Sequence, residues 1–311
     1  MRPPFQHYPL ALRIPLMVSM FVFNISIVSI IAMYCAGHIF GVHDTQSILE
    51  GKFTDTNSLN AFLFIQGLSS LGGFMLTAMM FSVLETGEFK KHLRLTTYPS
   101  LKMVALAVAS IFAAQFFIEF LVTINKQIPL PSSLHFLYDY QKHTEEVTNA
   151  MMSFKDFGHL LIVSFVVAVV PAVGEEFFFR GLLLGDMLKA RITPLASILI
   201  TGFIFSIFHF EVHNVLAIWA LGSFLGYLYY ISGSLWLPIA AHFTNNFLAV
   251  LVKYLFNLGV ISEDIANAET PLYATVIGIL VFTGFVFLFS KWKQPANFVE
   301  AEENTDTPIQ Q

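Results

Sequence analysis

From Leu160 to Val173 the chain reads LLIVSFVVAVVPAV, and it runs on directly into Gly174-Glu175-Glu176-Phe177-Phe178-Phe179-Arg180-Gly181. Pro171 is the only turn residue in the apolar run. The composition is that of a membrane-spanning helix, yet it ends on two adjacent carboxylates and an arginine. Each ionisable group held in a bilayer costs about 2.5–3.5 kcal/mol by the milder scales, so such groups usually have work to do. The stretch is therefore both a spanning helix and a candidate site.

The rest of the chain agrees with a membrane setting. Of its 311 residues 56% are hydrophobic and 12% charged, where soluble domains have roughly 45–50% and 25%. No polar block is long enough to form a soluble domain. The net charge of -5 is modest and no basic run suggests nucleic acid. The single cysteine, Cys35, excludes an internal disulfide and reads as a small buried hydrophobe. The 34 phenylalanines suit lipid-facing and helix-packing surfaces and need no cofactor.

A span needs about 20 mostly apolar residues. About eight candidates follow: Ile14 to Phe40, Ala61 to Leu84, Met103 to Ile124, Phe157 to Val173, Pro194 to Phe210, Val215 to Ile231, Leu235 to Phe256 and Pro271 to Phe289. The fold class is thus all-α, a polytopic membrane bundle with the site inside it. Residues 1–125 form about three N-terminal transmembrane helices, and 126–156 an amphipathic surface segment broken from them by Pro129 and Pro131. Residues 157–290 form a core of about five further helices, and 291–311 a polar, disordered tail. With eight spans Arg2 and Arg13, then Lys90, Lys91, Arg94 and Lys102, then Lys189 and Arg191, then Lys291 and Lys293 fall on one side. Both termini are then expected in the cytoplasm. No internal repeat of the kind common in transporters is visible.

In the first three spans the polar residues, such as Asn24 and Gln66, suit interhelical hydrogen bonding. Glu119 is an exception, an interfacial anchor or a functional group. Ionisable groups enter the hydrocarbon at three later places. Glu176 and Arg180, four apart, share a helix face as an ion pair, while Glu175 is turned away by ~100° and left free for chemistry. The plain alternative is an interfacial Glu-Arg pair with Glu175 in headgroup water. His209 stands near one end of an aromatic span, where a lone histidine can equally be interfacial. His213 follows four residues on, but Glu211 is misplaced for an H-E-x-x-H zinc motif, so His213-Asn214 reads as the start of a loop. His242 and Asn246 share a helix face, as a candidate imidazole–amide pair or a hydrogen-bonded core pair. Carboxylate plus imidazole can take a proton from water, and imidazole plus amide can stabilise an oxyanion. One glutamate and two histidines are equally a zinc ligand set with an open position for water.

E-E-x-x-x-R as Glu175, Glu176 and Arg180, F-x-x-x-H as Phe205 and His209, and H-x-x-x-N as His242 and Asn246 occur in this order on successive spans. Gly233-Ser234-Leu235-Trp236 leads into the last. This set resembles the CPBP family of intramembrane proteases, which includes the type 2 CAAX prenyl endopeptidases and bacterial bacteriocin-immunity proteins. The resemblance covers about Phe154 to Phe256 and makes residues 157–290 a CPBP-like protease core. It implies an intramembrane endopeptidase in which Glu175, assisted by His209, activates water, His242 and Asn246 form the oxyanion site, and Glu176 and Arg180 brace the helix. In its metal-dependent reading, as a metalloprotease, Glu175, His209 and His242 would hold zinc; in its glutamate-protease reading no metal is needed. The implied partners are a peptide or membrane-protein substrate, lipidated or not, and the lipid bilayer, at the cytoplasmic membrane if the source is bacterial. Two other classes fit the same residues: a transporter or channel with a Glu/His ion path, and a non-catalytic immunity or scaffold protein. On these span limits His209 falls towards the far end of its helix from His242, so the two meet only if the helices are offset, kinked or differently bounded.

Overall fold

A computed structural model describes residues 3–5, 8–42, 44–154, 156–262 and 270–291. The expected disordered tail, apart from Lys291, lies outside the described residues, as do Arg2 and Lys293 of the charge argument. Among the described residues every regular element is a helix. The long ones are α1 (Leu10–Phe40), α2 (Thr56–Thr86), α3 (Leu101–Gln127), α4 (His135–Met151), α5 (Phe157–Lys189), α6 (Pro194–Ile207), α7 (Val215–Ser232), α8 (Trp236–Asn257) and α9 (Leu272–Lys291).

Seven of these, all except α4 and α6, are long and apolar enough to cross a membrane. The eighth expected span, Pro194 to Phe210, is the exception: α6 has 14 residues, short of the ~20 a span needs. Its apolar sequence continues to Phe210, but the backbone leaves the helix at Phe208 and turns left-handed at Phe210, where φ is 55°.

The opening stretch forms the centre of the bundle. Half of the apolar window of α5 is buried, against 17% for α1 and for α9. Phe177, Phe178, Phe179 and Leu182 to Leu184 pack with Phe81, Leu93, Phe205 and Tyr229 from the surrounding elements. α5 is one continuous helix, but it widens into π-helical turns at Phe165–Val169 and Glu176–Leu184, either side of Pro171. Proline supplies no N–H to its own helix, and π-turns of this kind re-aim side chains, frequently at functional sites. Gly174 lets α5 pass close to α2, since a Cβ there would stand 3.2 Å from Phe74 Cβ.

α6 and α7 pack closely. Gly202 and Gly222 face each other, and a Cβ on Gly202 would meet Ser223 Oγ at 2.5 Å. The turn after α7 is capped by left-handed Gly233, where φ is 60°. α8 is then fixed by Ser234 Oγ on Thr97 O and by Trp236 Nε1 donating to Leu95 O at 2.9 Å. α1 and α2 are joined by Asn24 Nδ2 to Thr77 Oγ1 at 2.9 Å and by the Ser29 and Ser69 hydroxyls at 2.8 Å. Glu119, near the end of α3, accepts from Thr270 Oγ1 away from the opening stretch.

Candidate active site

Glu176 is fully buried on the first residue of the second π-turn of α5, and its Oε1 takes two donors. Arg180 Nη1 donates to it at 2.5 Å, and His242 Nδ1 from α8 donates to it at 2.9 Å. Arg180 spends its remaining charge locally. Its Nη2 donates to Gly222 O on α7 at 2.9 Å, and its guanidinium lies 4.5 Å from the centroid of the Phe205 ring. A buried guanidinium needs this many partners to offset its desolvation.

The Glu176 bond decides the chemistry of His242. A carboxylate accepts, so Nδ1 carries a ring proton, and in the neutral imidazole Nε2 is the nitrogen with the lone pair. That Nε2 faces Glu175, whose Oε2 is 3.9 Å away. Glu175 Oε2 is buried and hydrogen-bonds to no described residue. Two acceptors from different helices thus face each other across a gap that one water, at about 2.8 Å from each, can bridge.

His209 lies two residues beyond α6. Its Nδ1 meets Phe205 O at 2.8 Å, one of the carbonyls that the end of the helix leaves over, and its ring rests against Phe205 with centroids 4.6 Å apart. The other side of the neighbourhood is His242, whose ring is edge-on to Phe205 at 5.8 Å. The short α6 and the offset of α8 therefore bring both histidines to one phenylalanine, with no direct contact between them. Asn246 is engaged elsewhere: its Nδ2 donates to Val167 O on α5 at 3.3 Å, and its Oδ1 accepts from Asn245 at 3.2 Å. Val167 is four residues before Pro171, which has no N–H to give that carbonyl. Asn246 supplies what the proline withholds.

Glu175, Glu176, Arg180 and His242 are thus assembled, with Phe205 joining His209 to them and Asn246 on the same wall. For zinc the fit is incomplete. Tetrahedral ligands at about 2.0–2.2 Å from the ion suit the Glu175–His242 pair, but His209 does not complete a trio. Among the described residues only Glu85, His92 and Asp186 bring three such ligand atoms within 4.8 Å of one another. That trio holds its own cation. Lys189 Nζ lies 3.3 Å from Glu85 Oε1, 3.2 Å from Asp186 Oδ1 and 3.2 Å from His92 Nε2, and Arg13 Nη1 is 2.8 Å from Glu85 Oε1. Burial first, then the charges of Lys189 and Arg13, hold His92 well below the usual histidine range.

Three features of the site escaped the sequence. The second partner of Glu176 joins residues far apart in the chain and has no spacing signal. Phe205 was visible only as a motif letter, and its central place depends on how α6 ends. The Arg13, Glu85, His92, Asp186 and Lys189 network was hidden because each of its members reads alone as an interfacial residue.

Residues 157–248 match the family model described as "Type II CAAX prenyl endopeptidase Rce1-like". Two Bacillus subtilis proteins are also similar. "Uncharacterized protein YyaK" is 28% identical over 170 residues, 50% of this chain and 56% of that protein, so the chain spans little more than half its length. "Putative membrane peptidase YdiL" is 26% identical over 204 residues, 65% of this chain and 77% of that protein. No solved structure matches. Glu175, Glu176, Arg180, Phe205, His209, His242 and Asn246 all fall within the matched segment, and from the start of α5 into α8 the chain is similar to the Rce1-like type II CAAX prenyl endopeptidases.

Proposed function

We propose that this protein is an intramembrane endopeptidase in which Glu175 and His242 activate one water between them. The observation that carries the reading is the 3.9 Å gap between Glu175 Oε2 and His242 Nε2, with Glu176 fixing the tautomer on the other side of the ring. Glu175 takes a proton from the water as it attacks the peptide carbonyl, and returns it to the departing amine nitrogen. His242 Nε2 orients the same water by accepting a hydrogen bond from its second hydrogen, which stays on the new hydroxyl of the tetrahedral intermediate. His209, also against Phe205, has Nε2 to assist. Asn246 Nδ2 has a second hydrogen, beyond the one on Val167 O, for the oxyanion. Glu176 and Arg180 hold this arrangement.

The substrate class follows from the matched segment: a peptide presented at the membrane, with a prenylated C-terminal cysteine motif the first to try. Lys90, Lys91, Arg94, Lys189 and Arg191 cluster at one end of the bundle, the end we assign to the cytoplasm. A quenched peptide carrying an S-farnesylated cysteine, and the same peptide unprenylated, supply the assay in detergent. Cleavage lost in Glu175→Gln and in His242→Ala supports the reading. Wild-type rates in Glu175→Gln would falsify it. Full activity after exhaustive chelation, with no metal found by elemental analysis, supports water activation by side chains alone. One zinc per chain, lost in His242→Ala, would replace it by metal catalysis.

A further inference from the structure

We propose that Asn125 and Gln141 are positioning residues for His209, holding the 208–214 loop so that its imidazole is fixed against Phe205. The inference rests on the reading of His209 given above. Both residues lie outside the segment matched by the family model.

His209 belongs to the loop and not to a helix, so the rotamer and reach of its ring depend on what holds that loop. The loop's own turns bond His209 N to Ser206 O, Phe210 N to Ile207 O and Asn214 N to Glu211 O, which leaves Val212 O, His213 N and Leu216 N to partners outside it. Phe210 sits in the left-handed region at φ 55°, a conformation that a bulky aromatic residue keeps only where its surroundings determine it. Three groups do so. Asn125, buried in the last turn of α3, closes a two-point clamp: its Nδ2 donates to Val212 O at 2.8 Å and its Oδ1 accepts from Leu216 N at 2.9 Å. Gln141, buried on α4, accepts from His213 N at 3.2 Å through Oε1, while its own Nε2 donates to Glu145 Oε1 at 2.8 Å. Two aromatic rings of α4 pack beside it, Tyr140 edge-on to Phe210 at 5.8 Å and Tyr138 edge-on to His213 at 5.3 Å.

This gives α4 a different use from the one its amphipathic sequence suggests. Its polar Gln141 is turned inward and buried, whereas Phe136 is 63% exposed. The helix is docked on the loop by side chains that complete the loop's own backbone hydrogen bonds. Asn125 and Gln141 touch no reacting group; they act through the backbone that follows His209.

The test uses the full-length protein in detergent, with a nitroxide on Val212→Cys in a Cys35→Ala background, and the quenched peptides above. Asn125→Ala and Gln141→Ala are expected to mobilise the nitroxide. They should also lower kcat about 10- to 100-fold with KM within about twofold, as for a catalytic group displaced by an ångström or so. Asn125→Asp keeps the acceptor for Leu216 N and loses the donor to Val212 O, so it should fall between Ala and wild type. Gel filtration separates these effects from misfolding, and Gln141→Ala, on the periphery, guards against a poorly folded Asn125→Ala. An unchanged nitroxide spectrum in the folded variants overturns the proposal, as does a mobilised loop with wild-type kcat. His209→Ala cleaving at the wild-type rate instead overturns the assignment of His209, while the nitroxide still reports on the clamp without any substrate.

Discussion

Two carboxylates one residue apart are expected to fail in opposite ways. Glu176 neutralises a buried arginine and orients a buried histidine through one oxygen, so removing its charge strands Arg180. Glu176→Gln should cost about 3–5 kcal/mol, the usual penalty for breaking a buried ion pair by one partner, measured as denaturant unfolding in detergent. Glu175, 15% exposed and without a hydrogen-bonded partner on Oε2, carries no such burden. Glu175→Gln should destabilise far less than Glu176→Gln, since it breaks no buried ion pair. Its rate on the quenched peptide should fall about 10²–10⁴-fold, as for loss of a general base. Equal destabilisation by the two variants would remove the distinction between them.

At the scale of elements, α5 and α8 are joined by a defect and its repair. Pro171 leaves Val167 O without its α-helical donor, and Asn246 Nδ2 reaches that carbonyl at 3.3 Å. The two residues should therefore be coupled. In a double-mutant cycle on thermal or denaturant stability, Asn246→Ala should cost about 1 kcal/mol less in a Pro171→Ala background than in wild type. Additive effects would mean that the carbonyl is satisfied without Asn246. The bond also explains what the sequence could and could not reveal. Glu176 with Arg180, and His242 with Asn246, are legible because a spacing of four places two side chains on one helix face. That His242 turns to Glu176 while Asn246 turns to Val167 depends on how two helices cross, and no spacing within either helix encodes it. The limits of α6 were misread for a related reason. The segment Phe208-His209-Phe210 contains no glycine or proline, so its left-handed turn is imposed by packing from α3 and α4 and not by a local signal.

For the molecule as a whole, the basic end is tied together by Arg13 of α1, Glu85 of α2, His92 of the turn that follows, and Asp186 and Lys189 of α5. Burial there keeps His92 neutral, and unfolding lets it bind a proton. The unfolded chain therefore holds more protons below the ordinary histidine pKa of about 6.5, and stability should fall as pH drops from 7 to 5, by at most about 1.4 kcal/mol per pH unit for one group. Glu85 and Asp186 also face this histidine, so its share is the difference between wild type and His92→Gln, and wild type should lose stability relative to His92→Gln as pH drops over that window. At the opposite end the decisive feature is the length of α6. Fourteen residues rise about 21 Å, while the hydrocarbon layer is about 30 Å thick. With Pro194 at one interface, we infer that Glu211, His213 and Asn214 fall short of the opposite headgroup level and that lipid beside α6 thins to meet them. A dent of that kind would lower the aqueous phase towards His209 and Phe205, giving the proposed hydrolase its supply of water. Proteoliposomes should then show the fastest cleavage in short-chain phosphatidylcholine and progressively slower cleavage as the acyl chains lengthen; a rate indifferent to chain length would mean that water arrives by another route.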